Sequence, residues 1–331
     1  MSLQFQAIAV LSTATYFAGQ VYFKLATAEM PALAGNRPWQ LARTLLGNRT
    51  WIAGAGVLAV GAGVQTVALT GLSPLQAQPM FLAGLAMLLV LAIPVMGERL
   101  TPREWGCVML LAVAAVLFAE SDINVFGTGT AEAARPAGGT AELTSATSTA
   151  PMAEVGSAVP AALIVAVALP SLLVPFAAFL ASDLSRKGTH AKPLTGVALA
   201  VNVGLLTGTA ELMLDGAAGL LDDPRALLAA PYLYIFAITT PLALGQLQIA
   251  LQRSRLVIIG LVATATAKTY LFLLATLLYR QPWPDEHRAH IMAALVLSVL
   301  AIAAVPHHEA PALRRPRALT DAPTGTGAHE R

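Results

Sequence analysis

A lysine and a glutamate stand inside apolar runs of this sequence, and their types and placement bear most directly on chemistry. Lys268 lies in "LVIIGLVATATAKTYLFLLATLLY", Leu256 to Tyr279, twelve residues from its start. At a rise of 1.5 Å per residue that is about 18 Å along a helix, near the middle of a segment long enough to cross a bilayer. An ammonium at that depth costs about 2.5 to 3.5 kcal/mol on insertion scales, and it sits too deep to snorkel. It therefore requires a bundle interior, a watery cavity or a carboxylate partner. Glu211, in "VGLLTGTAELMLDGA", is the expected partner. Counted from Leu194 it lies about 25 Å along its own helix, roughly 7 Å beyond the depth of Lys268 if neither helix tilts. A long lysine side chain nearly closes that gap. Asp215, one turn further on, is the reserve and is placed near the interface. Three roles are open to the two charges: a structural ion pair, a clamp for a charged solute, or a coupling site where protonation of Glu211 alternates with its pairing.

Uncharged polar groups are the next candidates. Thr264 precedes Lys268 by one turn on the same face and is expected to line the same cavity. Gln65, Gln78, Asn202, Thr207, Gln246, Gln248 and Gln252 offer hydrogen bonds to a solute or, equally, from helix to helix. The carboxylates Glu104 and Glu286 open helices, where negative charge suits the amino terminus. Trp51, Trp105 and Trp283 fall where interfacial anchors belong. No G-x-x-x-x-G-K-[ST] phosphate loop occurs, and no His, Asp, Glu or Ser constellation in the spans has metal-ligand or nucleophile spacing. His307 and His308 read as solvated residues. Hence no enzyme activity, no cofactor, no metal and no nucleic-acid partner is expected.

The elements that must position these residues are membrane helices. Hydrophobic residues make up 56% of the chain and charged residues 11%, against roughly 25% charged in soluble domains. Nine stretches are long and apolar enough to span: about 3–25, 50–72, 75–97, 102–119, 158–182, 194–214, 229–252, 256–279 and 288–305. Their continuous rather than alternating apolarity predicts an all-α polytopic bundle, not a β-barrel. The first span is the least apolar, with Gln4, Gln6, Thr13 and Gln20, and it lacks the basic start and cleavage site of a signal peptide. The one cysteine, Cys107, excludes an intrachain disulfide.

Loop charge predicts orientation. With alternate loops assigned to two sides, Arg135, Arg225, Arg280 and Arg288 fall on the side of the amino terminus. Lys268 belongs to neither side, and the remaining fifteen of the twenty Lys and Arg fall on the other. The positive-inside rule then predicts an inner (plasma) membrane protein with its amino terminus outside and its carboxyl terminus in the cytoplasm. Residues 1–120 form the first set of spans, 121–157 a Gly, Ala, Thr and Ser-rich linker, 158–306 the remaining spans, and 307–331 a polar tail. Linker and tail are expected to be disordered, since they bury too little apolar surface to offset chain entropy.

An offset of 182 residues aligns the chain with itself. Arg43 falls on Arg225, Gly63 on Gly245, Ala68 and Leu69 on Ala250 and Leu251, and Glu104 on Glu286. Spans two to four thus match spans seven to nine, and by order the first matches the sixth. The fifth is left as a connector, so the two four-helix units cross the membrane in opposite senses. Inverted repeats of this kind are typical of secondary transporters, with the site near the midplane between the halves. Lys268 falls on Ala86, so the charge breaks the pseudo-symmetry.

The segment "ALTGLSPLQAQPMFLAGLAMLLVLAIPVMGERLTPREWGCVMLLAVAAVLF", Ala68 to Phe118, resembles the first repeat of the drug/metabolite transporter superfamily, in particular its EamA-like actinobacterial members. A polar turn with Pro74 leads into Gln78 and Pro79, and the span closes on "GERLTPREWGC". The second half departs in detail, with "LVATATAK" and "LYRQPWPDEHR". Ten spans with both termini inside are usual for that family, so nine spans resemble the loss of one helix from the first half. The resemblance implies a carrier or exporter of a small organic metabolite or drug-like solute, working by alternating access with H+ or Na+ as coupling ion or by counter-exchange. Its partners would be the solute, the lipid bilayer and, in a homodimer, a second copy. The alternatives are a magnesium or other divalent-cation transporter, which an intramembrane lysine opposes electrostatically, and a non-transporting scaffold or sensor.

Overall fold

The computed structural model describes residues 2–31, 33, 38–69, 84, 86–95, 97, 100–114, 116–117, 160–184, 196–218, 220, 223–279 and 288–305. Gln78, Trp283, Glu286, the linker over 121–157 and the tail over 307–331 lie outside them. Among the described residues every regular element is helical. This is the expected solution for apolar runs, because only a helix satisfies each backbone donor and acceptor within its own segment.

The helices are α1 (Ser2–Glu29), α2 (Pro38–Leu46), α3 (Arg49–Leu69), α4 (Ala86–Val95), α5 (102–114), α6 (Ala161–Leu184), α7 (Gly196–Ala218), α8 (Pro224–Ala229), α9 (Tyr232–Arg253), α10 (Leu256–Tyr279) and α11 (Arg288–Ala304). Among the described residues three helical stretches are long and apolar enough to cross a membrane: Gly196–Leu214, Tyr232–Arg253 and Leu256–Leu278. Ala86–Val95, Ala161–Ala177 and Arg288–Ala304 are shorter apolar helices. Caps set several ends. Asp223 accepts from the backbone N–H groups of Arg225 and Ala226 at 3.0 and 3.1 Å, with Pro224 in the first helical turn of α8. Asn48 caps α3 by accepting from Trp51 N at 2.8 Å. Thr101 and Glu104 make a reciprocal capping box at the start of α5, with Glu104 Oε2 accepting from Thr101 N at 2.7 Å.

Two packed groups organise the bundle: α1 lies along α3, and α7 is sandwiched between α9 and α10. A large apolar core joins them, drawing Phe17 and Phe23 from α1, Leu88 from α4, Leu199 and Val203 from α7, and Ile259 and Val262 from α10. A second core gathers Ile164 of α6, Leu212 and Met213 of α7 and Tyr232 of α9. Trp51 corrects the expectation of an interfacial anchor: it is 8% exposed and stacks on Phe23 with ring centroids 5.5 Å apart. The indole therefore packs into the core against α1 instead of lying at the rim. Trp105, by contrast, is 45% exposed, as an anchor would be.

Between α6 and α7, Thr209 Oγ1 donates to Ser171 Oγ at 2.8 Å, and Ser171 Oγ donates to Ala168 O at 2.6 Å. Both side chains are buried. Thr209→Val is expected to lower unfolding free energy by about 1 kcal/mol, the net worth of one hydrogen bond. Ser171→Ala added to it should cost much less than Ser171→Ala alone, because the pair is already broken. Denaturation of the detergent-solubilised protein, run as a double-mutant cycle, measures both.

Candidate functional site

The site is set by how closely α7 and α10 approach. A Cβ at Gly204 would stand 2.6 Å from Ala263 O and 2.5 Å from Thr266 Cβ, and one at Gly208 would stand 2.7 Å from Ala267 O. Only a glycine fits such contacts, and small residues at these positions let two backbones meet. Successive contacts advance in the same sense along both chains, so the two helices run parallel. The next turn of α7 then brings Glu211 beside Lys268.

Lys268 Nζ donates to Glu211 Oε2 at 2.5 Å. The side chains are 9% and 17% exposed. The two charges form one charge-assisted bond. Asp215 lies one turn beyond Glu211 on α7, and its side chain is outside the described set.

Two adjoining cavities meet at this pair. The first, about 470 Å³ with the space open to solvent included, is bordered by Thr13, Tyr16 and Gln20 of α1, Gln65 of α3, Thr207 and Glu211 of α7, and Thr264 and Lys268 of α10. The second, about 710 Å³ with open space likewise included, shares Tyr16, Gln65, Thr207 and Glu211 and is otherwise mainly apolar, walled by Leu58, Leu214, Phe236, Leu244 and Leu247. Glu211 thus faces both cavities, while Lys268 borders the first. An ionisable pair beside a solvent-sized space, with an apolar chamber next to it, can bind a charged or polar group and hold an apolar body alongside.

Of the residues expected at a site, Lys268, Glu211, Thr264 and Gln65 converge on the first cavity. Asn202 and Gln246 do not line either cavity; they are buried at 7% and 1% exposure. Gln78 falls outside the described residues. Tyr16, Gln20 and Thr13 line the first cavity as well, although Gln20 and Thr13 stand out in the sequence only as making the first span less apolar and Tyr16 not at all. Those polar residues inside an otherwise apolar helix were the available signal, since such groups turn toward a cavity or a neighbouring helix.

A second polar cluster lies at the end of the bundle where α9 turns into α10. Lys24 Nζ donates to Leu251 O at 2.6 Å and to Ser254 O at 2.8 Å. Gln252 accepts from Leu33 N at 2.8 Å and donates to Pro31 O at 3.0 Å. Arg255 pairs with Glu104. Glu104 therefore does more than open its helix: it also binds α5 to the α9–α10 turn. Lys24, Arg43, Arg49, Arg103, Arg253 and Arg255 crowd this end, whereas Arg225 and Arg288 lie at the other.

Among the described residues no three His, Cys, Asp or Glu side chains come together as a metal site. Comparison of the chain with protein-family models, curated proteins and solved structures gives no match.

Proposed function

We propose that this protein is a secondary carrier of a small organic solute in the plasma membrane. The solute binds at the Lys268–Glu211 pair and is exposed alternately to the two sides. One observation carries the reading: a charged pair buried at mid-helix depth borders a cavity that draws its walls from α1 and α3 of the first half and from α7 and α10 of the second. Ionisable groups inside membrane spans are costly and mark solute or ion paths. In carriers built of two similar halves the site lies between them.

The 182-residue offset supports the same reading. It carries 49–69, the bounds of α3, onto 231–251, and α9 spans Tyr232–Arg253. It carries the short α2 close to the short α8, each leading into its long partner. The α1 and α3 pairing then corresponds to the α7 and α9 pairing. Nine crossings in two inverted units, with the basic end in the cytoplasm, accord with this pattern and with the positive-inside rule. This is also the activity that resemblance to the drug/metabolite transporter superfamily implies.

The test is uptake into proteoliposomes of purified protein, using a panel of labelled anionic, cationic, zwitterionic and neutral metabolites with imposed proton or sodium gradients. Saturable accumulation of one chemical class above protein-free liposomes is expected. Flux equal to that of protein-free liposomes for every class and gradient would remove the proposal.

A further inference from the structure

The second cavity is a slot running along three helices. Its wall on α3 is Leu58, Ala62 and Gln65, spaced as one stripe of a helix, and its wall on α9 is Phe236, Thr240, Leu244 and Leu247, spaced likewise. The floor is α7, from Val203 to Leu214. Eleven residues separate the two ends on α7 and again on α9, about 16 Å of helix. Val203 and Ala210 of the floor are buried, whereas Leu58, Ala62, Phe236 and Leu244 of the walls are only half-buried. The helix packing explains the difference. α3 lies along α1 and α9 along α7, and among the described residues α3 and α9 have at most marginal contact with each other. The slot therefore opens sideways between them, on a flank where Val60, Val67 and Ile238 are exposed apolar residues.

Polar groups gather at one level of this slot. A Cβ at Gly216 of α7 would stand 2.4 Å from the Tyr232 ring of α9, and α9 runs back along α7 from that point. Eight residues on, Thr240 comes level with the turns of α7 that hold Thr207 and Glu211. Toward the basic end the lining turns apolar, with Leu58, Val203, Leu244 and Leu247. From Glu211 back to Val203 is about 12 Å of helix. Lys268 donates to Glu211 Oε2, and none of the described residues donates to Oε1. The Thr240 hydroxyl also has no partner among them, although Thr239 beside it donates to Ile235 O at 2.9 Å. Among the described residues lining the slot Glu211 alone carries charge, while Lys268 borders only the first cavity. An anion entering the slot meets a carboxylate. A cation with N–H groups meets an open acceptor, and such charge-assisted bonds are strong.

We propose that the slot is a bilayer-side entrance to the site and takes an amphiphilic primary amine, its ammonium on Glu211 and its apolar body along α3 and α9. The proposal rests on the carrier reading and names the class of solute carried. A primary alkylamine is protonated at neutral pH, as a lysine side chain is, and its apolar body leaves water favourably for lipid or for the slot. The bilayer therefore concentrates it beside the gap between α3 and α9. At Glu211 its ammonium replaces that of Lys268, so the carboxylate keeps a counter-charge throughout and avoids the cost of standing alone. The displaced Lys268 ammonium turns into the first cavity, which includes space open to solvent and is bordered by Thr13, Gln20 and Thr264. Lys268 is thus a tethered stand-in for the ammonium of the solute.

The experiment reads binding by position. Full-length protein in nanodiscs of zwitterionic lipid is irradiated with decylamine carrying a diazirine near its chain end, and with decanoate carrying the same group. Crosslinked residues are located by mass spectrometry. The amine should mark the apolar end of the slot, at Leu58, Leu244 or Leu247, about tenfold more than the carboxylate does, the worth of one hydrogen bond to a charged group. Excess unlabelled decylamine should compete. Glu211→Gln should bring the amine down to the level of the carboxylate, and so should Lys268→Met with Glu211→Gln, in which no buried charge is left unpaired. Ala62→Phe fills the slot without touching either charge and should also remove the marking. Equal marking by both heads, or marking by the amine that survives in folded Glu211→Gln and Ala62→Phe proteins, would make the slot a lipid-filled groove and overturn the proposal. Marking as expected in a protein that accumulates no amine in the uptake assay would support the slot and refute carriage. Saturable uptake of another class, without marking, would overturn the slot and leave the carrier reading standing.

Discussion

Replacing Lys268 with alanine is expected to reduce solute flux at least a hundredfold, to the level of protein-free liposomes, and to destabilise the protein by about 3 to 5 kcal/mol. The second effect follows from removing one member of a buried pair, which leaves a desolvated carboxylate without its counter-charge. Glu211→Gln should also abolish flux, by leaving the ammonium facing an amide. The informative variant is Lys268→Met with Glu211→Gln. Both charges are then gone and the remaining groups are near in volume, so much of the lost stability should return. Flux should not return, because the groups proposed to bind the solute are absent. Thermal unfolding and uptake measured on the same preparations separate the two quantities. Flux restored together with stability would make the pair a structural element and move the site to the remaining polar wall of the cavity.

The second large effect concerns two helices rather than two charges. Gly204→Leu should lower stability by about 3 kcal/mol, the upper end of ordinary overpacking, and cut flux at least a hundredfold. The added side chain meets Ala263 O and Thr266 Cβ, a carbonyl and a branched side chain on a rigid helix, so neither neighbour yields easily. Pushing α7 off α10 also draws Glu211 from Lys268, two turns along the same interface. Gly204→Ala should show the same defects to a smaller degree, since its Cβ already falls inside contact distance. Gly63→Ala is the control: nothing lies within 4 Å of its Cβ, and both stability and flux should remain within error of the parent. Equal tolerance at Gly204 and Gly63 would show that close helix approach does not hold the pair together.

The helical class and the extent of several helices were legible because apolar length is a strong signal. The run Leu256–Tyr279 is one helix from its first to its last residue. The Lys268 and Glu211 partnership was legible for a related reason, since few charges stand in apolar runs and each must find an answer. Their contact required the glycines at 204 and 208, which were present but ambiguous among many small residues. The placement of Trp51 was not legible, because a position near a span end does not show that the indole stacks on Phe23 of α1. Tyr16 was missed because an aromatic residue in a span is usually packing, and which face it occupies depends on α1 lying along α3. Arg255 and Glu104 are 151 residues apart, a pairing that no local pattern encodes.

The central claim is that two halves of the bundle expose one solute site alternately. Counterflow tests it most directly: proteoliposomes are loaded with excess unlabelled solute, diluted into a trace of labelled solute, and followed with no ion gradient. Alternating access predicts a transient uptake of label above its equilibrium level, abolished by Lys268→Met with Glu211→Gln. Label that rises only to equilibrium, at a rate independent of internal solute, would contradict the account.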